Sequence, residues 1–234
     1  MNLFYSKNTD IDHKEIVLID QENRHLTKVL RRKKGDSINV TNGKGVLFKC
    51  IIVESNRNNS KLEIKKYSIF NDDFPKLKIA ISLTKNTNRF EWFLEKATEI
   101  GVSEITPIIS ENTEKIKLNY ERSYKLILSA MKQSLRYKLP ILNLPTGFLD
   151  YISKSNDSYD SYIATCLANK KHLLKDILKK GNNSKIIIGP EGGFTNNEID
   201  LAKKVNFTPV SLGNNRLRTE TAGIIACSIF STVN

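Results

Sequence analysis

Two short stretches hold the residues best suited to chemistry. The first is Gly189-Pro190-Glu191-Gly192-Gly193, which follows the strand-like stretch Lys185–Ile188 with its three successive isoleucines. Glycine lets a backbone approach a ligand closely or take a positive φ, and proline fixes the chain beside it. The loop has no Lys or Arg to neutralise a phosphate, and Glu191 would repel one. It therefore suits an uncharged or cationic small ligand better than a nucleotide phosphate. The second stretch, Leu217-Arg218-Thr219-Glu220-Thr221-Ala222, follows Leu212-Gly213 and opens an otherwise apolar segment. Thr219 or Thr221 would serve as a helix cap, and Glu220 suits a helix N-terminus. Arg218 opposes the helix dipole there, which points to another partner for it. A third apolar run stops at Leu83-Thr84. The plain structural alternatives are a tight strand-to-helix turn for the glycines and a cap for the threonines.

These stretches need strands and helices to hold them. From Lys76 onward short apolar runs alternate with helical stretches, which predicts a parallel sheet covered by helices. Strands are predicted at Lys78–Leu83, Ile105–Ile109, Tyr159–Ala164, Lys185–Ile188 and Pro209–Leu212. Helices are predicted at Thr87–Ile100, Asn119–Leu139, Asn169–Lys180 and Thr221–Thr232, with a further one opened by the capping-box spacing Thr195-Asn-Asn-Glu198. Phe90, Phe93, Leu94, Ala97 and Ile100 form one apolar face, and Gly101 is its stop. Ligands of open α/β sheets bind beyond the carboxyl ends of the strands. The three glycine- or threonine-bearing loops are thus the expected site.

Residues 1–72 read as a separate β-rich module, joined by a polar linker ending at Pro75. Strands Ser37–Thr41 and Val46–Val53 flank Asn42-Gly43, a hairpin signal, and Lys61–Lys65 alternates as a half-buried strand should. A helix is predicted over Gln21–Arg32 with Asp20 as N-cap. Arg24, Lys28 and Arg31 recur at spacings of four and three, which would put three cations on one face. A solvated charged face is the alternative.

Composition narrows the class. The 234 residues carry 37 Lys+Arg against 25 Asp+Glu, a net charge of +12, and 39 % are hydrophobic. That excludes a disordered chain and favours a polyanionic partner. The longest apolar runs fall well short of the ~20 residues that span a bilayer. No basic region followed by an apolar one opens the chain, so no secretory signal is expected. Three widely separated cysteines argue for a reduced, cytoplasmic setting. There is no G-x-x-x-x-G-K-[ST], no G-x-G-x-x-G and no nucleophile elbow. His13, His25 and His172 are far apart, so no metal is expected.

In order, the motifs resemble the RsmE family, bacterial 16S rRNA uridine-N3 methyltransferases of the SPOUT superfamily. The matching stretches are Arg24-His25, Val29-Leu30-Arg31 and Gly35-Asp36; Glu95–Val102 with Pro107; Gln133–Arg136 with Pro140; Ile188–Phe194; and Leu212-Gly213 with Leu217–Ala222. They span nearly the whole chain. Departures are Asn215-Arg216, Lys132 and Glu111-Asn112-Thr113, where many relatives carry other residues. The resemblance implies a PUA-like β-barrel over residues 1–72 and a trefoil-knotted α/β SPOUT domain over 76–234. It implies a homodimer that binds S-adenosylmethionine (SAM) through Leu83, Thr84, Gly189–Gly193, Leu212, Gly213, Leu217, Thr219, Thr221 and Ala222. Gly192→Val would then fill space meant for SAM. Arg218 and Glu220 become the expected catalytic pair. Arg24, His25, Lys28, Arg31, Arg32, Gln133 and Arg136 become the expected contacts to 16S rRNA in the small ribosomal subunit. Other SPOUT activities, ribose 2′-O or guanine-N1 methylation, and a non-catalytic ribosome-assembly factor are the rivals.

Overall fold

A computed structural model describes residues 2–71, 74–154, 158–167 and 172–234. The chain divides into two compact units, residues 1–72 with 131–139, and residues 73–130 with 140–234.

The first unit contains β1 (Leu3–Tyr5), β2 (Glu15–Ile19), α1 (Asp20–Arg24, continued by a π-turn over His25–Val29), β3 (Ser37–Thr41), β4 (Val46–Ser55) and β5 (Asn59–Ile69). They form one sheet in the order β1-β3-β4-β5-β2, antiparallel except where β1 meets β3. Alternation drives it: β2 buries Ile16 and Leu18 and exposes its other three residues. These join Phe4, Leu26, Val40, Phe48, Ile52 and Leu62 in one core.

Three expectations change here. The β3–β4 turn has four residues, with Gly43 and Gly45 at φ 72° and 94°, and Asn42 Oδ1 accepts from the N–H groups of Lys44 and Val46. Asp20 is not an N-cap: Ile19 holds that position without a side-chain bond, and Asp20 itself has φ 48°. The helix also stops at Val29 rather than Arg32, and Arg31 has φ 51°. A π-turn lengthens the helical repeat. Arg31 therefore lies past the helix end, off the helical face that its spacing from Arg24 and Lys28 predicts.

The predicted helix to Leu139 ends at Gln133, with Leu135 at φ 56°. Residues 131–139 are instead a strap of the first unit. Tyr137 O accepts from Gly45 N at 2.8 Å and Thr41 Oγ1 at 3.1 Å, and Gly43 O accepts from Leu139 N at 2.9 Å. Lys132 pairs with Glu22, whose other oxygen accepts from Tyr5 N. Long-range backbone bonds outcompete helix propensity in this segment.

The second unit contains β6 (Leu77–Ser82), α2 (Thr87–Ile100), β7 (Glu104–Ile109), α3 (Tyr120–Gln133), β8 (Ile141–Leu142), β9 (Thr146–Gly147) and α4 (Phe148–Ser153). It continues with β10 (Asp160–Ala164), β11 (His172–Leu173), α5 (Leu174–Ile177), β12 (Ser184–Ile188), α6 (Asn196–Lys204), β13 (Thr208–Ser211) and α7 (Thr219–Val233). The sheet order is β11-β13-β10-β12-β6-β7-β8, with β9 also beside β7. All of these pairings are parallel, as the α/β reading requires. β12 is buried along its whole length, the pattern of a strand covered on both faces.

Local signals hold well in this unit. Asn86 caps α2 by accepting from Asn88 N, and Gly101 ends it at φ 110°. Thr195 and Glu198 form both bonds of a capping box. The predicted helix Asn169–Lys180 does not form as one piece. Residues 168–171 lie outside the described residues, and the rest is β11, the single turn α5 and an extended Leu178. Pairing of His172 and Leu173 with Val210 and Ser211 takes that backbone into the sheet. Among the described residues no helix is long and apolar enough to cross a membrane.

Candidate active site

Because the larger sheet is parallel, the loops that leave its strands open at one edge. The sequence reading treats the loops after β6, β12 and β13 as neighbours. The strand order corrects this, since β10 lies between β12 and β13. The turn Thr165–Leu167 therefore belongs to the same edge, and sequence reasoning missed it. Thr165 N donates to Val210 O at 3.0 Å, and Leu167 N donates to Thr165 Oγ1 at 3.1 Å. Its only sequence signal was an apolar run ending at a hydroxyl residue, as at Leu83-Thr84.

The two chemically dense stretches meet directly. Thr219 Oγ1 donates to the Gly189 carbonyl at 3.0 Å. Thr219 thus does not cap α7; Arg218 occupies the N-cap position without a side-chain bond. Three more bonds fix the glycine loop. Arg216 donates to the Glu191 carbonyl at 3.1 Å, Lys85 N to Glu191 Oε1 at 3.1 Å, and Asn112 Nδ2 to the Gly193 carbonyl at 3.0 Å. Glu111 N donates to Glu198 Oε1 at 2.9 Å. Residues that depart from the family pattern, Glu111, Asn112 and Arg216, thus brace this loop and the helix after it.

The glycines divide by what surrounds them. A Cβ on Gly192 would lie 3.0 Å from Asn112 Cβ, so that position makes room for the neighbouring loop. A Cβ on Gly193, at φ 75°, would meet no atom within 4 Å, and neither would one on Gly213. Leu83 and Thr84 are buried, and Thr84 Oγ1 donates to Asn86 O within its own loop. Pro190 is also buried, whereas Leu212, Leu217, Thr221 and Ala222 are half-buried.

Arg218 is exposed, and its guanidinium makes no ion pair among the described residues. Glu220, in the first turn of α7, is only 6 % exposed. Its Oε1 lies 3.8 Å from Arg89 Nε, and its Oε2 is buried with no hydrogen-bond partner among the described residues. A buried carboxylate oxygen left unpaired is costly and marks a place where a partner is needed. Sequence reasoning missed Arg89. Its signal was a cation at a helix N-terminus, Arg89 in the first turn of α2, as Arg218 is at that of α7. Cys50 and Cys227 offer no nucleophile, since burial pushes both thiols up to about 12.

Thr219→Val keeps the shape and removes the bond to Gly189. It is expected to cost about 0.5–1.5 kcal/mol in stability, and denaturant unfolding measures this.

The predicted RNA contacts fall in the first unit. Arg24, His25, Lys28, Arg31 and Arg32 are all exposed, and the His25 ring lies 5.8 Å from that of Phe4. Gln133 is exposed and Arg136 half-buried in the strap. Burial draws the Arg136 guanidinium below its ordinary value.

The family models place the chain among RNA methyltransferases that carry a PUA module. Residues 72–231 match the model of the RNA methyltransferase domain, and residues 18–65 match the RNA methyltransferase PUA domain. The chain belongs to the family of ribosomal RNA small subunit methyltransferase E. It is 31 % identical to the member from Rickettsia conorii, over 96 % of this chain and 93 % of that one. Among solved structures it is similar to a probable rRNA-methyltransferase from Porphyromonas gingivalis, with 34 % identity, a TM-score of 0.93, and coverage of 100 % and 98 %. It is also similar to the ribosomal RNA small subunit methyltransferase E of Neisseria gonorrhoeae bound to S-adenosyl methionine. There the identity is 27 %, the TM-score 0.88, and coverage 99 % and 97 %.

Proposed function

We propose that this chain transfers a methyl group from SAM to N3 of a decoding-region uridine in 16S rRNA of the small ribosomal subunit. It does so in the cytoplasm as a homodimer. The observation that carries the reading is the start of α7. An unpaired, exposed Arg218 and a buried Glu220 with an orphaned oxygen stand two residues apart, tied through Thr219 to the glycine loop.

The residues suit the cofactor. Gly193 and Gly213 open onto free space, the Gly189–Gly193 stretch holds no cationic side chain, and Glu191 favours a positively charged ligand. Leu83 and Thr84, Gly189–Gly193, Leu212 and Gly213, and Leu217, Thr219, Thr221 and Ala222 would hold it. The relative from N. gonorrhoeae is bound to S-adenosyl methionine, which supports SAM as the cofactor. When bound, SAM supplies an electrophilic methyl on a sulfonium.

The protein's own task is alignment and charge. Uridine carries a proton on N3, so N3 becomes a good nucleophile only as that proton leaves. Arg218 donates to uracil O2 or O4, where negative charge grows. Glu220 accepts the proton directly or through water, or else orients Arg218. Arg89 stands 3.8 Å from one Glu220 oxygen, and the other has no hydrogen-bond partner among the described residues. Fixing the base in line with the transferred group removes much of the entropic barrier.

The test is methylation of purified small subunits, from cells lacking the enzyme, with labelled SAM, followed by nuclease digestion and mass spectrometry. The expected product is 3-methyluridine. A methylated ribose or N1-methylguanine would replace this reading by another SPOUT activity. Absence of label with calorimetric SAM binding intact would replace it by an assembly factor.

A further inference from the structure

We infer that a cavity at the amino-terminal ends of β6, β7 and β12 binds a small organic phosphate monoester, away from the loops assigned to SAM. The inference is independent of the methyl-transfer reading.

Strand register builds the cavity. Lys185, Lys78 and Glu104 lie side by side on β12, β6 and β7, and neighbours in such a row point to the same face of a sheet. Two residues further along that face the row reads Ile187, Ala80 and Thr106. Ile187 and Ala80 belong to the apolar core with Phe148 and Ile152 of α4. The charged row therefore marks where that core gives way to a polar hollow. The hollow measures about 600 Å³, within the ~300–1,000 Å³ of small-molecule sites.

Two lysines set side by side on adjacent strands repel one another. Lys185 is also 2 % exposed, which adds the cost of desolvating its charge. The Tyr159 ring faces both ammonium groups, its centroid 4.4 Å from Lys78 Nζ and 5.9 Å from Lys185 Nζ, and helps to fix them. Glu104 is shared: one oxygen accepts from Asn143 Nδ2 at 2.7 Å and the other lies 3.4 Å from Lys78 Nζ. Lys154, exposed at the end of α4, lines the same cavity. Three lysines against one glutamate give the lining two net positive charges. A phosphate monoester, with a charge of about −1.5 to −2 at neutral pH, balances that excess. A single carboxylate does not.

Thr106 adds a neutral donor. It is 4 % exposed and its hydroxyl accepts from Asn143 Nδ2 at 2.8 Å, while its own hydrogen goes to no described residue. That hydrogen is available to a phosphate oxygen in the cavity that Thr106 lines. Tyr120, Leu142 and Leu144 supply the apolar part of the lining, against which the esterified group would rest. Tyr120 is fixed there by donating to the Leu142 carbonyl at 3.0 Å.

The test is calorimetric titration of the full chain with phenyl phosphate, with SAM present in excess to occupy its own site. Saturable binding is expected, about tenfold tighter than that of inorganic phosphate because the ring is buried as well. Lys78→Met keeps the apolar stem and should weaken binding by about tenfold or more, the worth of one bond to a charged group. Thr106→Val should weaken it by about threefold to tenfold, and Lys154→Ala, which is exposed, by up to about fivefold. Lys175→Ala removes an exposed cation of α5 outside the lining and should leave binding unchanged. Melting curves show whether Lys78→Met is folded; if it is not, Thr106→Val and Lys154→Ala carry the test. Absence of saturable binding at millimolar phenyl phosphate, an equal loss for Lys175→Ala, or unchanged binding in both Thr106→Val and Lys154→Ala overturns the proposal. Binding seen only without SAM would put the probe in the cofactor loops and overturns it too. Inorganic phosphate binding as tightly as phenyl phosphate would do the same, leaving a site for an adventitious ion only.

Discussion

Arg218→Ala is expected to lower methyl transfer to small subunits by about 10²–10³-fold or more, the usual loss when one donor to a developing anion is removed. SAM affinity should stay within a few-fold. The separation follows from where the residue stands. Its backbone carbonyl accepts from Ala222 N at 2.8 Å and so helps start α7, and alanine keeps that bond. Its side chain supports no other described residue, so truncation leaves the loops and the Thr219–Gly189 bond in place. Single-turnover rates and calorimetry on the same protein provide the check. Comparable loss of SAM binding and turnover would make Arg218 a structural residue. Glu220→Gln is the informative companion, because it retains the shape but cannot take a proton. If Glu220 accepts the N3 proton, raising the pH should partly restore the rate.

Gly223→Val carries the largest expected effect on stability. A Cβ at this position in α7 would lie 2.6 Å from Phe93 Cε2 and 2.9 Å from Ile81 Cδ1. Phe93 and Ile81 are fully buried in α2 and β6, so neither can give way cheaply. Overpacking of this kind costs about 1–3 kcal/mol, or a fall in Tm of about 2–12 °C for a chain of this size. The added methyls of valine reach further than alanine would, and valine lacks alanine's helix preference. Activity should fall as well, because Glu220 lies one turn upstream and a displaced α7 moves its carboxylate away from Arg89. An unaltered melting curve would show that α7 does not approach α2 this closely.

Where elements carry their own start and stop signals, the sequence was legible. The apolar stripe of α2 and its stop at Gly101, the capping box of α6 and the strand carrying Ile186–Ile188 all formed where expected. Such signals act over one or two helical turns or a single strand, so no distant partner is needed. The two-residue strands β8, β9 and β11 were not legible, nor was the end of α3. Two residues have no period to read, and they become strands because a neighbouring backbone offers bonds. The strap after Gln133 ends its helix for a similar reason: Gly43, Gly45 and Thr41, about ninety residues away, take its hydrogen bonds.

For the candidate site, residue types alone singled out the glycine loop and the Arg218–Ala222 stretch and pointed to a ligand that is not a phosphate. Those conclusions rest on backbone freedom and charge, which belong to residues wherever they sit. The sheet order decided the rest. It put β10 between β12 and β13, brought Arg89 to Glu220, and spent Gly192 on Asn112 while leaving Gly193 open. The packing within the first unit likewise tied the turn bearing Arg57 to α1 through Asn23. Contacts between residues distant in sequence depend on which strands pair, and that choice is made by the burial of the whole core rather than by any single segment.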